Sequence, residues 1–291
     1  MKKKKSSKFP QKRKLDAHLP NYKGYKNPSL IISAQEARKL VGTPDVIFVD
    51  TRNYWKYAKA HLPGAFSLEL YAFHWVDTSS EGMGAFENEM RMLFGSLGIS
   101  RRNTVVFYQN NSGYDAARGV WLLNLLGHEK ARILDGGLNL WKRLKYPVST
   151  KDPEPRKSQS FGKEIDNRVL ATRESLTASL ADKSAQVLDV RNDGEYDASF
   201  RRARKSGHVP SAMHCEWTKA LRRDGTLKAA KDLQKLYSPL DSKLKTITYC
   251  QSGYRAAHSW LVLRSLGFED VQNYLGSWYE WGNHPTTPIE K

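Results

Sequence analysis

Cys250 is one of only two cysteines in the 291-residue chain, and its surroundings predict a reactive thiol. It follows the β-branched run Thr246–Tyr249 and precedes a loop that leads into a predicted helix: Gln251, Ser252, Gly253, Tyr254 and Arg255. A thiol at this position faces the positive end of the helix and free backbone N–H groups, which favour the thiolate. Gly253 allows the loop to turn tightly, and Arg255 adds a cation. The loop therefore predicts a nucleophile able to carry an anionic sulfur.

The chain contains a second copy of this pattern 140 positions earlier, which predicts a duplicated fold. Ser112–Gly113–Tyr114 corresponds to Ser252–Gly253–Tyr254 at that offset. The same offset relates further pairs: Leu126 and Leu266, Gly127 and Gly267, Glu129 and Glu269, Gly136 and Gly276, and Trp141 and Trp281. The first copy has Asn110 in place of Cys250 and Asp115 in place of Arg255. Because it lacks both the nucleophile and the cation, we expect it to be catalytically silent.

Each copy alternates short apolar runs with segments of helical periodicity, as in an α/β domain. Runs such as Val105–Tyr108 and Thr246–Tyr249 are typical of buried parallel strands, and apolar spacing in 116–126 and 256–266 predicts helices. We therefore predict two tandem domains, each a mainly parallel sheet with helices on both faces. The predicted bounds are a basic tail at 1–27, domains at 28–150 and 169–291, and a Pro- and charge-rich linker at 151–168. Ligands of such sheets bind at the carboxyl ends of the strands, where Cys250 lies.

Composition limits the compartment and the partners. Two cysteines exclude a disulfide framework and a structural zinc site built on paired cysteines, so a reducing, cytoplasmic location is expected without a bound metal. No apolar run is long enough to span a bilayer, so no membrane partner is expected. The formal net charge is +17, of which eight charges lie in residues 1–14. The remaining excess favours small anionic substrates, while nucleic acid is not expected because no binding motif accompanies the charge.

Further motifs accompany the cysteine loop in the order expected of one protein family. They are the Asp-x-Arg sequences that end at Arg52 and Arg191, the turn His61–Leu62–Pro63–Gly64, and the ending Tyr274–Leu275–Gly276–Ser277–Trp278–Tyr279–Glu280–Trp281. Together with the loop, they resemble the tandem-domain rhodaneses, the thiosulfate and 3-mercaptopyruvate sulfurtransferases, over roughly residues 28–288. The resemblance is greatest to the thiosulfate type.

The resemblance implies a silent N-terminal domain and a catalytic C-terminal domain that acts without a cofactor. Cys250 is implied to take a sulfane sulfur from a small anionic donor, thiosulfate or mercaptopyruvate, as a persulfide. It then passes the sulfur to cyanide, a thiol or a sulfur-carrier protein. Ser252 and Arg255 are expected to assist it, with Gln251, Gly253 and Tyr254 completing the loop.

The loop sequence separates the two branches of the family. The mercaptopyruvate branch typically has Cys-Gly-Ser/Thr-Gly-Val-Thr and places an arginine where this chain has Glu195. Since a carboxylate cannot clamp a substrate carboxylate, thiosulfate is the expected donor, with Arg255 and either Arg201 or Arg202 supplying positive charge. Glu69 aligns with an acidic residue that reaches toward the cysteine and serine in mercaptopyruvate enzymes, so we consider it a possible proton-handling partner of Ser252.

Other assignments remain open at this point. Arg191 and Glu195 are expected to form a structural ion pair, and Cys215 is expected to be inert core. A phosphatase or arsenate reductase of the same fold needs five residues between the cysteine and the arginine, whereas four separate Cys250 from Arg255. A rhodanese-like binding module without activity is a further alternative, which the intact cysteine disfavours for the second copy.

Overall fold

The computed structural model describes residues 22–291, which form two five-stranded sheets with the same topology. The first sheet has the order β1-β5-β4-β2-β3 and the second has the order β6-β10-β9-β7-β8, and neighbouring strands in both are parallel. The strands are β1 (Ile31–Ile32), β2 (Val46–Asp50), β3 (Phe66–Ser67), β4 (Thr104–Tyr108), β5 (Ala131–Leu134), β6 (Leu170–Ala171), β7 (Ala185–Asp189), β8 (Met213–His214), β9 (Lys245–Tyr249) and β10 (Val271–Tyr274). The duplication read from the sequence is therefore a duplication of fold.

Helices cover both faces of each sheet. Those of the described region are α1 (Ala34–Leu40), α2 (Tyr54–Lys59), α3 (Ser80–Ser96), α4 (Tyr114–Leu125), α5 (Gly137–Arg143), α6 (Arg173–Asp182), α7 (Asp193–Tyr196), α8 (Ala230–Leu236), α9 (Tyr254–Leu266) and α10 (Ser277–Trp281). Alternate strand residues enter different cores: Ile47 and Val49 of β2 face the large central core, whereas Phe48 faces a separate outer core. The predicted α/β class, with mainly parallel sheets and helices on both faces, is confirmed.

The two domains meet through the helices that follow the two loops. α4 packs against α9, and the large core contains buried residues of both helices and of both sheets. The small pairs Ala116–Ala117 and Ala256–Ala257, equivalent in the repeat, are fully buried at this junction. Because each loop immediately precedes one of these helices, the junction brings the cysteine loop close to the N-terminal domain, which the sequence predicts to be catalytically silent.

The arginines of the two Asp-x-Arg motifs form buried ion pairs and hydrogen bonds that stabilise the fold. Arg52 binds Asp50 at 2.6 Å and the carbonyl oxygen of Ala60 at 2.6 Å. Arg191 binds Asp189 at 2.6 Å and the carbonyl oxygen of Gly207 at 2.7 Å. Each arginine thus ties the end of a central strand to the turn that begins with His61 or His208.

The chain before the first sheet contacts both domains where it is described. Lys23 Nζ lies 2.6 Å from Asp135 and 2.7 Å from the carbonyl oxygen of Leu227, and Tyr25 is buried. The predicted basic tail ran to residue 27, and residues 1–21 of it lie outside the described residues. These contacts favour a domain start earlier than residue 28, although the domain bounds stay a prediction. Over residues 22–291, no helix combines the length and apolarity that crossing a membrane requires.

Candidate active site

Cys250 lies at the carboxyl end of β9, held by backbone contacts on both sides. Its N–H donates to Ser277 Oγ at 3.1 Å, and its carbonyl oxygen accepts from the Trp278 N–H at 2.9 Å. The backbone N–H of Ser252 points at the sulfur, with 3.4 Å between Ser252 N and Cys250 Sγ. The residue is 1% exposed. One backbone N–H of the predicted cradle, that of Ser252, is thus directed at the sulfur, and the convergence of further amides stays a prediction.

Gly253 has a backbone conformation that other residues rarely adopt. Its φ is +79°, and a Cβ there would lie 2.7 Å from the carbonyl oxygen of Leu275. The equivalent Gly113 of the silent loop has φ −98°, so the two loops differ in backbone path although their sequences share a register. The tight turn predicted for Gly253 is specific to the cysteine loop.

The side chains of Gln251 and Tyr254 form hydrogen bonds outside the cysteine loop. Gln251 Nε2 donates to the carbonyl oxygen of Arg202 at 3.3 Å. Tyr254 is buried, and its hydroxyl donates to the carbonyl oxygen of Leu70, in the N-terminal domain, at 2.9 Å. Tyr254 therefore anchors the loop to the other domain.

Arg255 forms a two-bond ion pair with Glu195 and also interacts with the Cys250 thiol. Its two terminal nitrogens lie 2.6 and 2.9 Å from the Glu195 carboxylate oxygens, and Glu195 is 1% exposed. Burial acts to raise the pKa of Glu195, but the hydrogen bonds and charge of Arg255 outweigh it and hold that pKa below its ordinary value. Burial acts to lower the pKa of Arg255, while its contacts with Glu195 and Cys250 raise it overall. The cation beside the sulfur thus shares its charge with a carboxylate.

The predicted ion pair between Arg191 and Glu195 is wrong. Arg191 turns back onto Asp189, two residues earlier, while Glu195 faces the cysteine loop and binds Arg255. The i, i+4 argument failed because α7 begins at Asp193, so Arg191 precedes the helix and does not share a face with Glu195.

Of the two arginines predicted to add charge near the loop, Arg202 lies beside the site and Arg201 does not. Arg201 Nε and Nη2 donate to the carbonyl oxygens of Ala203 and Arg204, 2.8 and 2.6 Å away, within its own exposed segment. Arg202 Nη1 lies 3.7 Å from Glu195 Oε1. The side chain of Arg201 is used to stabilise the basic insertion itself.

Glu69 lies at the silent loop, in a cavity of about 400 Å³ that Asp115, Tyr114 and Trp217 also line. Burial, followed by the charge of Glu69, raises the pKa of Asp115 to about 6. In residues 22–291, no hydrogen bond or ion pair joins Glu69 to Ser252 or Cys250. The expected pairing of Glu69 with Ser252 is therefore not found, because Glu69 faces the corresponding position of its own domain.

Two residues at the cysteine loop were missed by sequence reasoning. Ser277, which accepts from the Cys250 N–H, belongs to the terminal motif but corresponds in the repeat to Gly137, so the repeat assigned it no role at the cysteine. Arg118 of α4 donates to the carbonyl oxygen of Gly253 at 3.4 Å. An arginine inside the apolar segment 116–126 was a visible anomaly that could have pointed to it. Elsewhere in the described chain, no group of three His, Cys, Asp or Glu side chains is arranged to hold a metal ion.

The structure is a duplicated parallel α/β domain with a cysteine at the carboxyl end of a central strand, and comparison with known protein families identifies its class. The Rhodanese-like domain family matches residues 33–144 and again residues 172–284. The chain therefore belongs to the rhodanese family, as two domains in tandem, and the predicted family is confirmed.

Curated relatives match over nearly the whole chain. It is 33% identical over 263 residues to a thiosulfate sulfurtransferase of Pseudomonas aeruginosa, covering 90% of this chain and 97% of the relative. It is 32% identical over 287 residues to a thiosulfate sulfurtransferase of Corynebacterium glutamicum, covering 94% of each.

Solved structures share the fold at lower identity. An anaerobic ergothioneine biosynthesis enzyme from Chlorobium limicola, solved with its substrate trimethyl histidine, superposes with a TM-score of 0.81 at 20% identity. The match covers 92% of this chain and 71% of that one. A structure of YnjE superposes with a TM-score of 0.80 at 21% identity, covering 92% and 69%.

Proposed function

We propose that this protein is a sulfurtransferase that moves a sulfane sulfur from thiosulfate to an acceptor through a persulfide on Cys250. The observation that carries the proposal is the Ser252 N–H directed at Cys250 Sγ, 3.4 Å away, at the start of the 13-residue helix α9. Backbone N–H groups and a helix N-terminus stabilise a negative sulfur without a metal. The thiosulfate sulfurtransferase names of the curated relatives support the same donor.

The proposed reaction has two displacement steps. The Cys250 thiolate attacks the outer sulfur of thiosulfate, and a new S–S bond forms as the bond to the sulfonate sulfur breaks. Sulfite leaves with that electron pair, and the negative charge of the thiolate becomes the charge of the persulfide. In the second step, an acceptor such as cyanide attacks the outer sulfur, which leaves as thiocyanate and regenerates the thiolate. No proton is consumed when both reactants are anions.

The charges at the loop support thiosulfate over mercaptopyruvate. Mercaptopyruvate needs a cation for its carboxylate, and the nearest arginine, Arg255, is already bound in two bonds to Glu195. Thiosulfate can instead be held by backbone N–H donors such as that of Ser252, with further positive charge from Arg202, whose Nη1 lies 3.7 Å from Glu195 Oε1. The acceptor, either cyanide or a thiol, and a cytoplasmic location belong to the same proposal.

The nucleophile is tested with the two cysteines as a matched pair. Incubation with thiosulfate should add the mass of one sulfur to the native protein, and cyanide should remove it. Cys250→Ser should abolish both changes, whereas Cys215→Ser should retain them, because Cys215 is buried directly after β8 and burial raises the pKa of its thiol. A folded Cys250→Ser protein that still forms thiocyanate would refute the mechanism.

The donor is tested by steady-state kinetics with thiosulfate and 3-mercaptopyruvate side by side. We expect the higher kcat/KM with thiosulfate. A Glu195→Arg variant restores the arginine that the mercaptopyruvate branch uses and should shift the ratio toward mercaptopyruvate. A higher native kcat/KM with mercaptopyruvate would overturn the assignment of the donor and leave that of the nucleophile intact.

A further inference from the structure

Arg118 is a buried arginine of the silent domain that lies against the loop of the catalytic domain. It is 1% exposed, and its Nη1 donates to the carbonyl oxygen of Gly253 at 3.4 Å. Its guanidinium also stands over the rings of Trp121 and Tyr254, at 4.5 and 4.9 Å from their centroids. The catalytic loop therefore has a cation beneath it that the other domain supplies.

Arg118 is not neutralised by any acid of the described chain. No ion pair joins it to a carboxylate within residues 22–291, and its Nη2 is buried without a hydrogen-bond partner. Burial lowers the pKa of Arg118 to about 10, while Tyr254 and Cys250 act to raise it. A buried, unpaired cation is costly to fold, so an anion close by is the expected compensation. An anionic sulfur on Cys250 would be such an anion.

The internal repeat gives a comparison within the same molecule. The 140-residue offset relates Arg118 to His258, a fully buried residue whose ring lies near the backbone of Ser112 in the N-terminal loop but is too poorly aligned to form a hydrogen bond with it. Burial lowers the pKa of His258 to about 4, so this residue is neutral near pH 7. Each interface helix thus places one side chain beneath the other domain's loop. The loop with the sulfur receives a cation, and the loop without it receives a neutral ring.

The contact with Gly253 also fixes a peptide group of the loop. The carbonyl oxygen of Gly253 accepts from Arg118, from Asn273 Nδ2 at 3.1 Å and from the Ala257 N–H at 3.2 Å. In a planar trans peptide the N–H points opposite to the carbonyl. Anchoring this carbonyl therefore directs the Tyr254 N–H toward the loop side of the helix, where the Ser252 N–H also lies.

We propose that Arg118 is a positioning residue for sulfur transfer, through which the silent domain stabilises the anionic sulfur on Cys250 from beneath the loop. The proposal rests on the function proposed above. It also assigns a purpose to the silent copy: it supplies a charge that the catalytic domain's own helix lacks at the equivalent position.

The test measures how fast iodoacetamide alkylates Cys250 as a function of pH, in a Cys215→Ser background so that one thiol reports. Arg118→Lys keeps the charge, and Arg118→Gln keeps a hydrogen-bond donor without the charge. We expect the Lys variant to follow the native profile and the Gln variant to shift its midpoint upward by about one pH unit, the scale on which a neighbouring charge acts. The other ionisable groups that interact with Cys250, namely Arg255, Tyr114 and Tyr254, are unchanged.

His258→Gln is the matched control, since it removes an ionisable group at the equivalent position beneath the silent loop. It should leave the alkylation profile unchanged. With thiosulfate, Arg118→Gln should lower kcat by about 10- to 100-fold with little change in KM, because Arg118 lies beneath the loop and does not face the donor.

The proposal is overturned if folded Arg118→Gln retains the native profile, or if folded Arg118→Lys shifts as far as the Gln variant. If the Arg118→Gln variant does not fold, the test rests on Arg118→Lys. A native alkylation profile for Arg118→Lys supports a role for the positive charge, and a shifted profile refutes it. Alkylation requires no sulfur donor, so this result is independent of whether thiosulfate is the substrate.

Discussion

The ion pair between Glu195 and Arg255 should be strongly coupled, and a double-mutant cycle measures that coupling directly. The perturbation consists of Glu195→Gln, Arg255→Gln and the double variant. The two hydrogen bonds are 2.6 and 2.9 Å long, and the side chain of Glu195 is 0% exposed while that of Arg255 is 16% exposed. Charges about 4 Å apart at an effective dielectric of about 20 interact by about 4 kcal/mol. Allowing for partial solvent access on the arginine side, we expect a coupling energy of about 2–3 kcal/mol in the free energy of unfolding.

The assay is urea unfolding of the four proteins at pH 7, with a second pair as the control. Arg168 and Asp166 approach to 2.8 Å, but Arg168 is 85% exposed, so their coupling should be much smaller. A coupling below about 1 kcal/mol for the Glu195 pair would refute the reasoning that burial makes it strong. The contacts of Glu195 lower its pKa in the folded protein below its pKa in the unfolded chain. The stability that the ionised carboxylate contributes is therefore fully present at pH values above the unfolded-state pKa and is lost as the pH falls through the folded-state pKa. Glu195→Gln should therefore be less sensitive to acid than the native protein.

The same variants rank the two residues in catalysis. Arg255→Gln removes a guanidinium that interacts with Cys250 and leaves Glu195 as an unpaired carboxylate nearby, so thiosulfate kcat/KM should fall by the equivalent of about 2–4 kcal/mol of transition-state stabilisation. Glu195→Gln leaves that cation in place but removes its anchor, so its loss should be smaller. A larger loss for Glu195→Gln would mean that the carboxylate acts on the substrate itself.

Other changes test separate parts of the site. Gly253→Ala should lower kcat by more than about tenfold, because φ is +79° and the new Cβ would lie 2.7 Å from the carbonyl oxygen of Leu275. The control Gly84→Ala places its Cβ in open space on α3 and should leave kcat unchanged, and steady-state rates check both. Arg202→Gln should raise the KM for thiosulfate and Arg201→Gln should not, because only Arg202 approaches the loop. Asp115→Asn should be more stable than the native protein by up to about 3 kcal/mol at pH 7, because a carboxyl whose pKa is raised from 3.8 to about 6 destabilises the folded state once it ionises. The variant should lose most of that advantage toward pH 4, and thermal unfolding at both pH values checks this.

The sequence was sufficient for the parts of the structure that local pattern and duplication determine. Thr246–Tyr249 was predicted as a strand and Ala256–Leu266 as a helix, and the structure has β9 at Lys245–Tyr249 and α9 at Tyr254–Leu266. The Cys250 loop is the connection between this strand and this helix, so its place at the carboxyl end of β9 followed directly from the two predicted elements. The tight turn at Gly253 followed from the same local logic.

What the sequence did not reveal are contacts that depend on the path of side chains between elements. Glu195 was paired with Arg191 from spacing alone, but the partner that its orientation selects lies 60 residues away. Glu69 was directed to Ser252 by alignment with a family position, yet it faces its own domain's loop. The Arg191 pairing was wrong because a spacing was treated as a spatial contact, whereas the proton-handling role of Glu69 stays a prediction.

The charges around Cys250 bear on what the N-terminal domain would contribute to the proposed reaction. Arg255 is balanced by Glu195, so that pair adds orientation and little net charge at the sulfur. The positive charge of Arg118 is not paired with a carboxylate in the described part of the chain, and an anionic sulfur on Cys250 would neutralise it. The silent loop has the reverse arrangement, with Asp115 at the position of Arg255 and a neutral His258 beneath it. A cysteine at Asn110 would therefore meet a carboxyl group and no cation, and it should remain a protonated, unreactive thiol.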